Sequence, residues 1–246
     1  MKILVIGDSC IDEFIYCSIE RICPEAPVPV LKPKEQKTNP GMASNVVENL
    51  KSLGAEVDII TNDNTIIKTR YVDTRSSQMV IRVDKNDECK RIDIDNILCA
   101  IDWKNYDAII ISDYCKGFLS CLDIEYIASS HPLTFLDTKK QLGDWCSNIS
   151  FIKINEFEHK KNLELLPNYP FILDKMIVTI GSKGCKYKDK IYPVLEVSVK
   201  DVSGAGDTFL AALVVDYLKN NNIKTAITFA NKCATKVVQK RGVVAL

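Results

Sequence analysis

The sequence has no CxxC pair, no histidine spaced to complete a zinc site, and no phosphate-binding loop of the form GxxxxGK[ST]. Two histidines and ten scattered cysteines in 246 residues therefore offer no zinc site by spacing, and a chain of this length needs no disulfide staples. The cysteines read as reduced, mostly packed thiols of a cytoplasmic protein. Charge of one sign is also missing: 32 basic residues balance 32 acidic ones, which excludes a global field that would gather nucleic acid or an anionic membrane. The N-terminal apolar run Ile3 to Ile6 stops at Gly7 and Asp8, too short for a signal peptide or a membrane span. There is no internal repeat, low-complexity tract or linker. Gly204 and Gly206 lack the third glycine of GxGxxG, so a nucleotide, if bound, is held in another way.

What is present suffices for a full core, since 46% of the residues are hydrophobic and 26% charged. The most informative stretch is Asp201-Val202-Ser203-Gly204-Ala205-Gly206-Asp207-Thr208, a polar, glycine-rich turn running into the apolar segment Phe209 to Val215. A turn that opens a buried helix leaves amides unpaired at the positive end of the helix dipole, which suits an anion such as phosphate. Gly204, Ala205 and Gly206 allow close approach, and Asp207 then sets a carboxylate beside the anion. Two readings stand at this point. Asp207 is an ordinary acidic residue in a first helical turn, or it accepts a proton from an alcohol attacking the phosphate.

Taken in order, Ile3 to Ile6 reads as a buried strand with Asp8 and Asp12 at its C-terminal end, Asp8 serving either as a cap or as part of a site. Residues 14 to 38 interleave prolines with Val28, Val30 and Leu31, the pattern of extended edge strands outside the core. Gly41 to Asn45 leads into a helix that Gly54 stops. Ala55 to Thr61 is a strand, and 65–72 with 79–83 form a hairpin that joins the proline-rich strands in a small sheet. Lys68, Arg70, Arg75 and Arg82 on that hairpin are either solvated or contact an anionic substrate.

Strand and helix patterns then alternate: Ala108–Ser112, Leu119–Ser129, Leu133–Leu136, Phe151–Ile154, Glu156–Asn162 and Met176–Ile180, which means a mainly parallel α/β sheet. Asp113, Asp137, Asn155 and Gly181 follow strand ends and line one crevice. A strand pair is expected around Tyr187 and Ile191 to Val199, and a last helix over Lys224 to Lys240 with one buried stripe. Asn231 lies at the margin of that stripe, where its amide meets either backbone or a ligand.

Together these residues resemble the ribokinase-like, or PfkB-type, carbohydrate kinases over nearly the whole chain. Asp201 to Asp207 matches D-x-x-G-A-G-D, Asn155 with Glu158 matches N-x-x-E, and Thr179-Ile180-Gly181-Ser182-Lys183-Gly184 resembles T-x-G-x-x-G. The resemblance implies Asp207 as catalytic base and Gly204, Ala205 and Gly206 as anion hole. It implies Asn155 and Glu158 at the nucleotide phosphates, with Glu158 reaching magnesium through water. Thr179, Gly181, Gly184 and Asn231 then fall at ATP, and Asp201 with the Ser203 carbonyl forms a loop suited to a monovalent cation, potassium. Near the N-terminus Arg21 to Val30, Pro40-Gly41, Ser112-Asp113-Tyr114, Lys116-Gly117 and Asp137 with Lys139 look like the kinase domain of heptose-7-phosphate kinase/ADP-heptose synthase proteins. That branch implies Asp12, Gly41 and Asn45 at sugar hydroxyls, with Asp113, Lys116 and Lys139 bordering the pockets. Two departures accompany it. The family's Gly-Gly pair is Gly41-Met42 here, and a loop, helix and strand usual after the second strand shrink to about Asn62 to Asn64.

The expectation is thus one ribokinase-like α/β domain over 1–246, a three-layer sandwich with a mainly parallel central sheet and a small β-sheet lid from about 14–38 and 65–84. Its function is expected to be ATP- and magnesium-dependent phosphorylation of a sugar or sugar phosphate, with heptose 7-phosphate at its anomeric hydroxyl as the leading acceptor. The alternatives are another sugar, nucleoside or small alcohol as acceptor, or a non-catalytic nucleotide-binding regulatory protein. No nucleic acid or membrane partner is expected, and the lid sheet offers an edge for a homodimer.

Overall fold

A computed structural model of the protein describes residues 1–240 and 242, apart from the side chains of 95, 96 and 98. Strand β1 (Lys2–Gly7) lies inside an eight-stranded sheet. Its residues alternate between two cores: Ile3 and Val5 face one, Leu4 and Ile6 the other, all at most 1% exposed. Burial on both faces is what a continuous apolar run dictates, because successive side chains in a strand point opposite ways. Each such side chain contributes about 1.5–3 kcal/mol over its exposed state.

From β1 the chain enters a second sheet through β2 (Ser9–Ile22) and β3 (Pro29–Met42), which runs directly into helix α1 (Ala43–Ser52). After β4 (Glu56–Ile60), strands β5 (Ile66–Asp73) and β6 (Met79–Lys85) complete that sheet in the order β3-β2-β5-β6. The expected hairpin and its union with the proline-rich strands are both present. Strands β2 and β3 extend beyond 14–38 at both ends, so Asp12 and Gly41 belong to this sheet. Pro29, Pro33 and Pro40 all lie in β3, an edge strand, where a missing N–H is tolerated. The short link 62–64 suffices because Asn62 stands in for a strand neighbour, its Oδ1 accepting from the Ser9 amide at 2.7 Å.

The one-turn helix α2 (Ile94–Ile97) precedes β7 (Ala108–Asp113), α3 (Cys121–Ser130), β8 (Thr134–Thr138), β9 (Phe151–Asn155) and α4 (Glu156–Asn162). Helix α5 (Pro170–Leu173) leads to β10 (Met176–Thr179), and β11 (Cys185–Tyr187) with β12 (Lys190–Tyr192) finish the main sheet. Its order is β12-β11-β10-β9-β8-β7-β1-β4, parallel from β4 to β10 and antiparallel beyond. Helices α1, α6 (Ala205–Asn220) and α7 (Ile223–Val237) cover one face and α3 the other, giving three layers. This is the ribokinase-like α/β fold expected.

Among the boundaries that differ from the sequence reading, three border the site or its helices. The strand expected over Ile191–Val199 ends at Tyr192, because Pro193 has no N–H to continue the ladder, and 193–199 instead runs as an irregular wall. Helix α3 begins at Cys121 rather than Leu119, since Ser120 and Asp123 form a reciprocal capping box. Helix α7 stops at Val237. All ten cysteines are free thiols, five of them buried, and no helix among the described residues is long and apolar enough to cross a membrane.

Candidate active site

Helix α6 begins at Ala205 behind Gly204, which takes the left-handed conformation at φ 77° and offers no side-chain cap. The amides of Gly206 and Asp207 consequently meet no acceptor among the described residues. At the same turn the buried Lys153 of β9 pairs with Asp137 of β8 at 2.6 Å, and a Cβ added to Gly206 would lie 2.9 Å from its Nζ. Burial, the largest single influence, pushes Lys153 down, but the charge and hydrogen bond of Asp137 together with the charges of Asp207 and Glu158 outweigh it and hold the ammonium above the usual lysine value. Two unpaired amides, a helix N-terminus and a buried ammonium converge on one point, which fits an anion.

Asp207 projects into this point from the first turn of α6 and is almost wholly buried. Its Oδ2 accepts from Asn45 Nδ2 at 2.8 Å and its Oδ1 from the Tyr114 hydroxyl at 2.6 Å. Asn49 donates to the Asn45 carbonyl and Oδ1, and Thr208 donates to Asn49 Oδ1, so the Asn45 amide is held with its N–H toward the base. Burial raises the Asp207 carboxyl to about 6, even though the Asn45 and Tyr114 hydrogen bonds pull it down. Burial and the adjacent Asp207 charge push Tyr114 well above the usual tyrosine value, so it stays a donor. A carboxylate poised near 6 can take a proton at neutral pH.

The four-stranded sheet approaches Asp207 from the other side. A Cβ at Gly41 would sit 2.3 Å from Asp12 Oδ2 and 2.6 Å from Cys10 Sγ, so only glycine lets β3 pass this close to the Asp12 carboxylate. Asp12 is buried and paired with Arg70 of β5. Met42, where the resemblance expects a second glycine, has φ 57° and ψ −131°, and its side chain packs with Cys10, Ile66 and Tyr114 instead of facing open space.

On the opposite side of Tyr114 lies a cavity of 720 Å³. Asn155, Glu158, Thr179, Gly181, Gly184 and Asn231 all line it, as do Lys139, Lys153, Ala205 and Gly206. Its apolar wall comes from the irregular segment 193–199 and from Phe209, Ala234 and Val238. This size and lining suit a flat ring attached to a charged chain. Asn155 and Glu158 form a reciprocal capping box on α4, and Lys139 reaches Glu158 Oε1 at 3.0 Å. Both Glu158 oxygens are thus already engaged, which fits a magnesium ion held through water better than one bound directly. Asn231 donates to the Tyr192 carbonyl at 2.8 Å, so it makes the backbone contact while also bordering the cavity.

Other expected residues stand apart. Asp113 is engaged by Thr138 and Lys140, and Lys116 by Asp87; neither lines the cavity. Asp8 caps the loop after β7, accepting from the Tyr114 amide at 2.6 Å, and so helps aim Tyr114. Asp201 accepts from the amides of Ser203 and Gly242, and no cluster of three or more His, Cys, Asp or Glu side chains suited to a metal occurs among the described residues. Arg75 is exposed in the hairpin turn, and Arg82 pairs with Asp84. Sequence reasoning missed Lys153 and gave Tyr114 no role. The signal for Lys153 was there, a lysine midway along the apolar strand Phe151-Ile152-Lys153-Ile154; the signal for Tyr114 was not, because its contact to Asp207 spans 93 residues.

Residues 128–246 match the pfkB family carbohydrate kinases. The chain is 32% identical over 295 aligned positions to the bifunctional protein HldE of Helicobacter acinonychis, an alignment covering 98% of this chain and 63% of that protein. It therefore spans less than two thirds of the length of the curated relatives it matches. Those 295 positions exceed the 246 residues here, so the relative carries segments that this chain lacks. Among solved structures, Arabidopsis thaliana ribokinase complexed with ribose and ATP superposes with a TM-score of 0.67 at 14% identity, covering 98% of this chain and 93% of that one. Phosphofructokinase-2 from Escherichia coli in complex with potassium gives 0.74 at 13% identity, covering 98% and 94%. At these identities the two structures speak to the fold.

Proposed function

We propose, from the match of residues 128–246 to the pfkB family carbohydrate kinases and the likeness to HldE, that the chain is a kinase of that family and moves the terminal phosphoryl group of ATP onto a hydroxyl of a sugar phosphate. Heptose 7-phosphate at its anomeric hydroxyl is the leading acceptor, supported by the likeness to HldE across 98% of the chain. The observation that carries the reading is Asp207, a buried base near 6 set beside two unpaired amides and Lys153. The acceptor hydroxyl gives its proton to Asp207 as its oxygen bonds to phosphorus, and the bond to the departing ADP oxygen breaks. The Gly206 and Asp207 amides, the α6 dipole and the Lys153 ammonium stabilise charge on the transferred group. Tyr114 and Asn45 fix the carboxylate's direction. Magnesium, when bound, would offset the charge of the nucleotide phosphates; Glu158 would reach it through water and Asn155 would lie at the phosphates.

The Asp201–Ser203 turn is the proposed potassium site, drawing on carbonyl oxygens because the Asp201 carboxylate is occupied by amides. The four-stranded sheet is proposed to close over the sugar and exclude water. Its edge strand β6 leaves Met79, Val80, Ile81 and Val83 exposed, which supports a homodimer formed through that sheet. A kinase that draws on ATP is proposed to work in the cytoplasm.

The test is ADP release with ATP, magnesium and a panel of free and phosphorylated sugars. Asp207→Asn should lower turnover by at least about 10²–10⁴-fold and leave ATP binding by calorimetry intact. Turnover that survives the substitution overturns the assigned base. ATP binding without turnover on any acceptor would instead mark a nucleotide-binding protein.

A further inference from the structure

Four cationic side chains gather where β5 and β6 face β2 and the loop after β7, and three of them have a carboxylate. Arg70 is paired with Asp12, Arg82 with Asp84, and Lys116 with Asp87. The fourth is Lys68, in register with Asp12 on the neighbouring strand. It is the most buried of the four, at 8% exposure, yet its ammonium has no hydrogen-bond acceptor or ion-pair partner among the described residues. Its contact is the ring of Tyr114, 5.6 Å from Nζ to the centroid. A ring face recovers only part of the hydration that a buried ammonium gives up. Burial accordingly lowers the Lys68 pKa from its usual value.

Lys68 is not surplus to a folded strand. It lies on the face of β5 that carries Ile66 and Arg70, the face turned toward Cys10, Asp12 and Phe14. Its natural partner, Asp12, is taken by Arg70, whose Nη1 also donates to the Lys68 carbonyl. The Tyr114 ring is shared by two lysines: Lys139, at 4.7 Å, lines the large cavity, and Lys68 does not. The hydroxyl of that ring holds Asp207 at 2.6 Å. Lys68 thus stands on the acceptor side of the base: Asp12 and Asp87 act on its charge from a distance, and no carboxylate among the described residues forms an ion pair with it.

We infer that Lys68 is the receptor for a phosphate ester carried by the acceptor, away from the hydroxyl that attacks. This rests on the kinase reading and adds the residue that selects phosphorylated over free sugars. The cluster of Lys68, Arg70, Arg82 and Lys116 against Asp12, Asp84 and Asp87 has one cation in excess, and a phosphate ester supplies the missing anion. Because the three pairs already satisfy one another, Lys68 alone is expected to govern the discrimination. Arg75, exposed in the turn, is expected to have no part in it.

Calorimetric titration of the wild-type chain with heptose 7-phosphate and with free heptose, without ATP, should show the phosphorylated sugar bound about ten- to a hundredfold more tightly. Lys68→Met should erase that preference, weakening heptose 7-phosphate by the same factor and leaving free heptose unchanged or slightly tighter. Lys68→Arg should restore part of it. In ADP-release assays the same variants should shift KM for the phosphorylated acceptor more than kcat. Equal affinity of wild type for the two sugars, or equal weakening of both in Lys68→Met, overturns the inference. The titration is independent of turnover, so a preference for the phosphorylated sugar in a chain that releases no ADP would sink the kinase reading and keep the anion receptor. Should Lys68→Met fail to fold, the wild-type comparison and Lys68→Arg still decide.

Discussion

The two sides of Asp207 are built on different principles. Toward the large cavity the chain presents backbone amides, capping boxes and a salt bridge between adjacent strands of the main sheet, groups whose positions the sheet and helix starts dictate. Toward the acceptor it presents side chains from a second sheet, where Asp12, Lys68 and Arg70 lie side by side across β2 and β5 and Gly41 leaves room for the Asp12 carboxylate. The first arrangement suits a ligand common to many kinases. The second changes with every substitution on two strands, and so suits a ligand that differs between them.

The strongest way to break this contrast is at Lys153. Lys153→Met leaves Asp137 buried without its partner, which should destabilise the protein by about 3–5 kcal/mol. It should also lower kcat/KM by about 10²–10³-fold through loss of charge beside the anion site. Chemical denaturation and ADP release measure the two effects separately. The double change Lys153→Met with Asp137→Leu should recover most of the stability and none of the activity. Recovery of both would reduce Lys153 to a packing element and remove it from the site.

That lysine also shows what the sequence could disclose. Runs such as Ile3 to Ile6 and Ala108 to Ser112 announce strands buried on both faces, and the turn from Asp201 to Thr208 announces a helix start with unpaired amides, because both depend on neighbours in sequence. The parallel orientation of most strands in the main sheet follows from their alternation with helices. Partner choice among polar groups does not. Tyr114 on Asp207, Lys140 on Asp113 and Arg70 on Asp12 are contacts between elements, set by how strand ends converge after folding. Hence the unpaired amides next to Asp207 could be read from its neighbours in sequence, while the pairing of Asp113 with Lys140 and of Lys116 with Asp87 could not.

Tyr114 is the border between the two sides, and Tyr114→Phe sharpens the contrast by loosening the base without touching either pocket's charges. Its hydrogen bond pulls the Asp207 carboxyl down against burial, so its loss should move that group above about 6. In the wild type, turnover should fall as pH drops through about 6, when Asp207 takes up a proton; in the variant the acid limb of kcat/KM should lie at higher pH. The sign for stability is the reverse. A carboxyl raised in the folded state favours folding while protonated, so the contribution of Asp207 to stability is most favourable at acid pH and declines as pH rises from about 4 to about 6. Asp207→Asn should remove that decline and exceed the wild type at pH 8 by about 3 kcal/mol. An acid limb that stays in place in Tyr114→Phe would show that the tyrosine does not act on the base.

The smallest effect concerns Met42, on the acceptor side. Its φ of 57° with ψ of −131° is a conformation that a side chain enters at a cost of about 1–3 kcal/mol, and here the side chain repays this by packing with Cys10, Ile66 and Tyr114. Two truncations separate those terms. Met42→Ala loses the packing and keeps the strain, whereas Met42→Gly loses the packing and relieves it. At an ordinary position alanine is the more stable of the two by about 0.5–1 kcal/mol, because glycine has more freedom to lose on folding. At position 42 the order should invert, with the glycine variant unfolding at higher urea concentration by about 1 kcal/mol of stability. Both should fall below the wild type, since removing a buried methionine costs about 2–5 kcal/mol. If alanine remains the more stable, the backbone at the junction of β3 and α1 is not strained, and Met42 is there for packing alone.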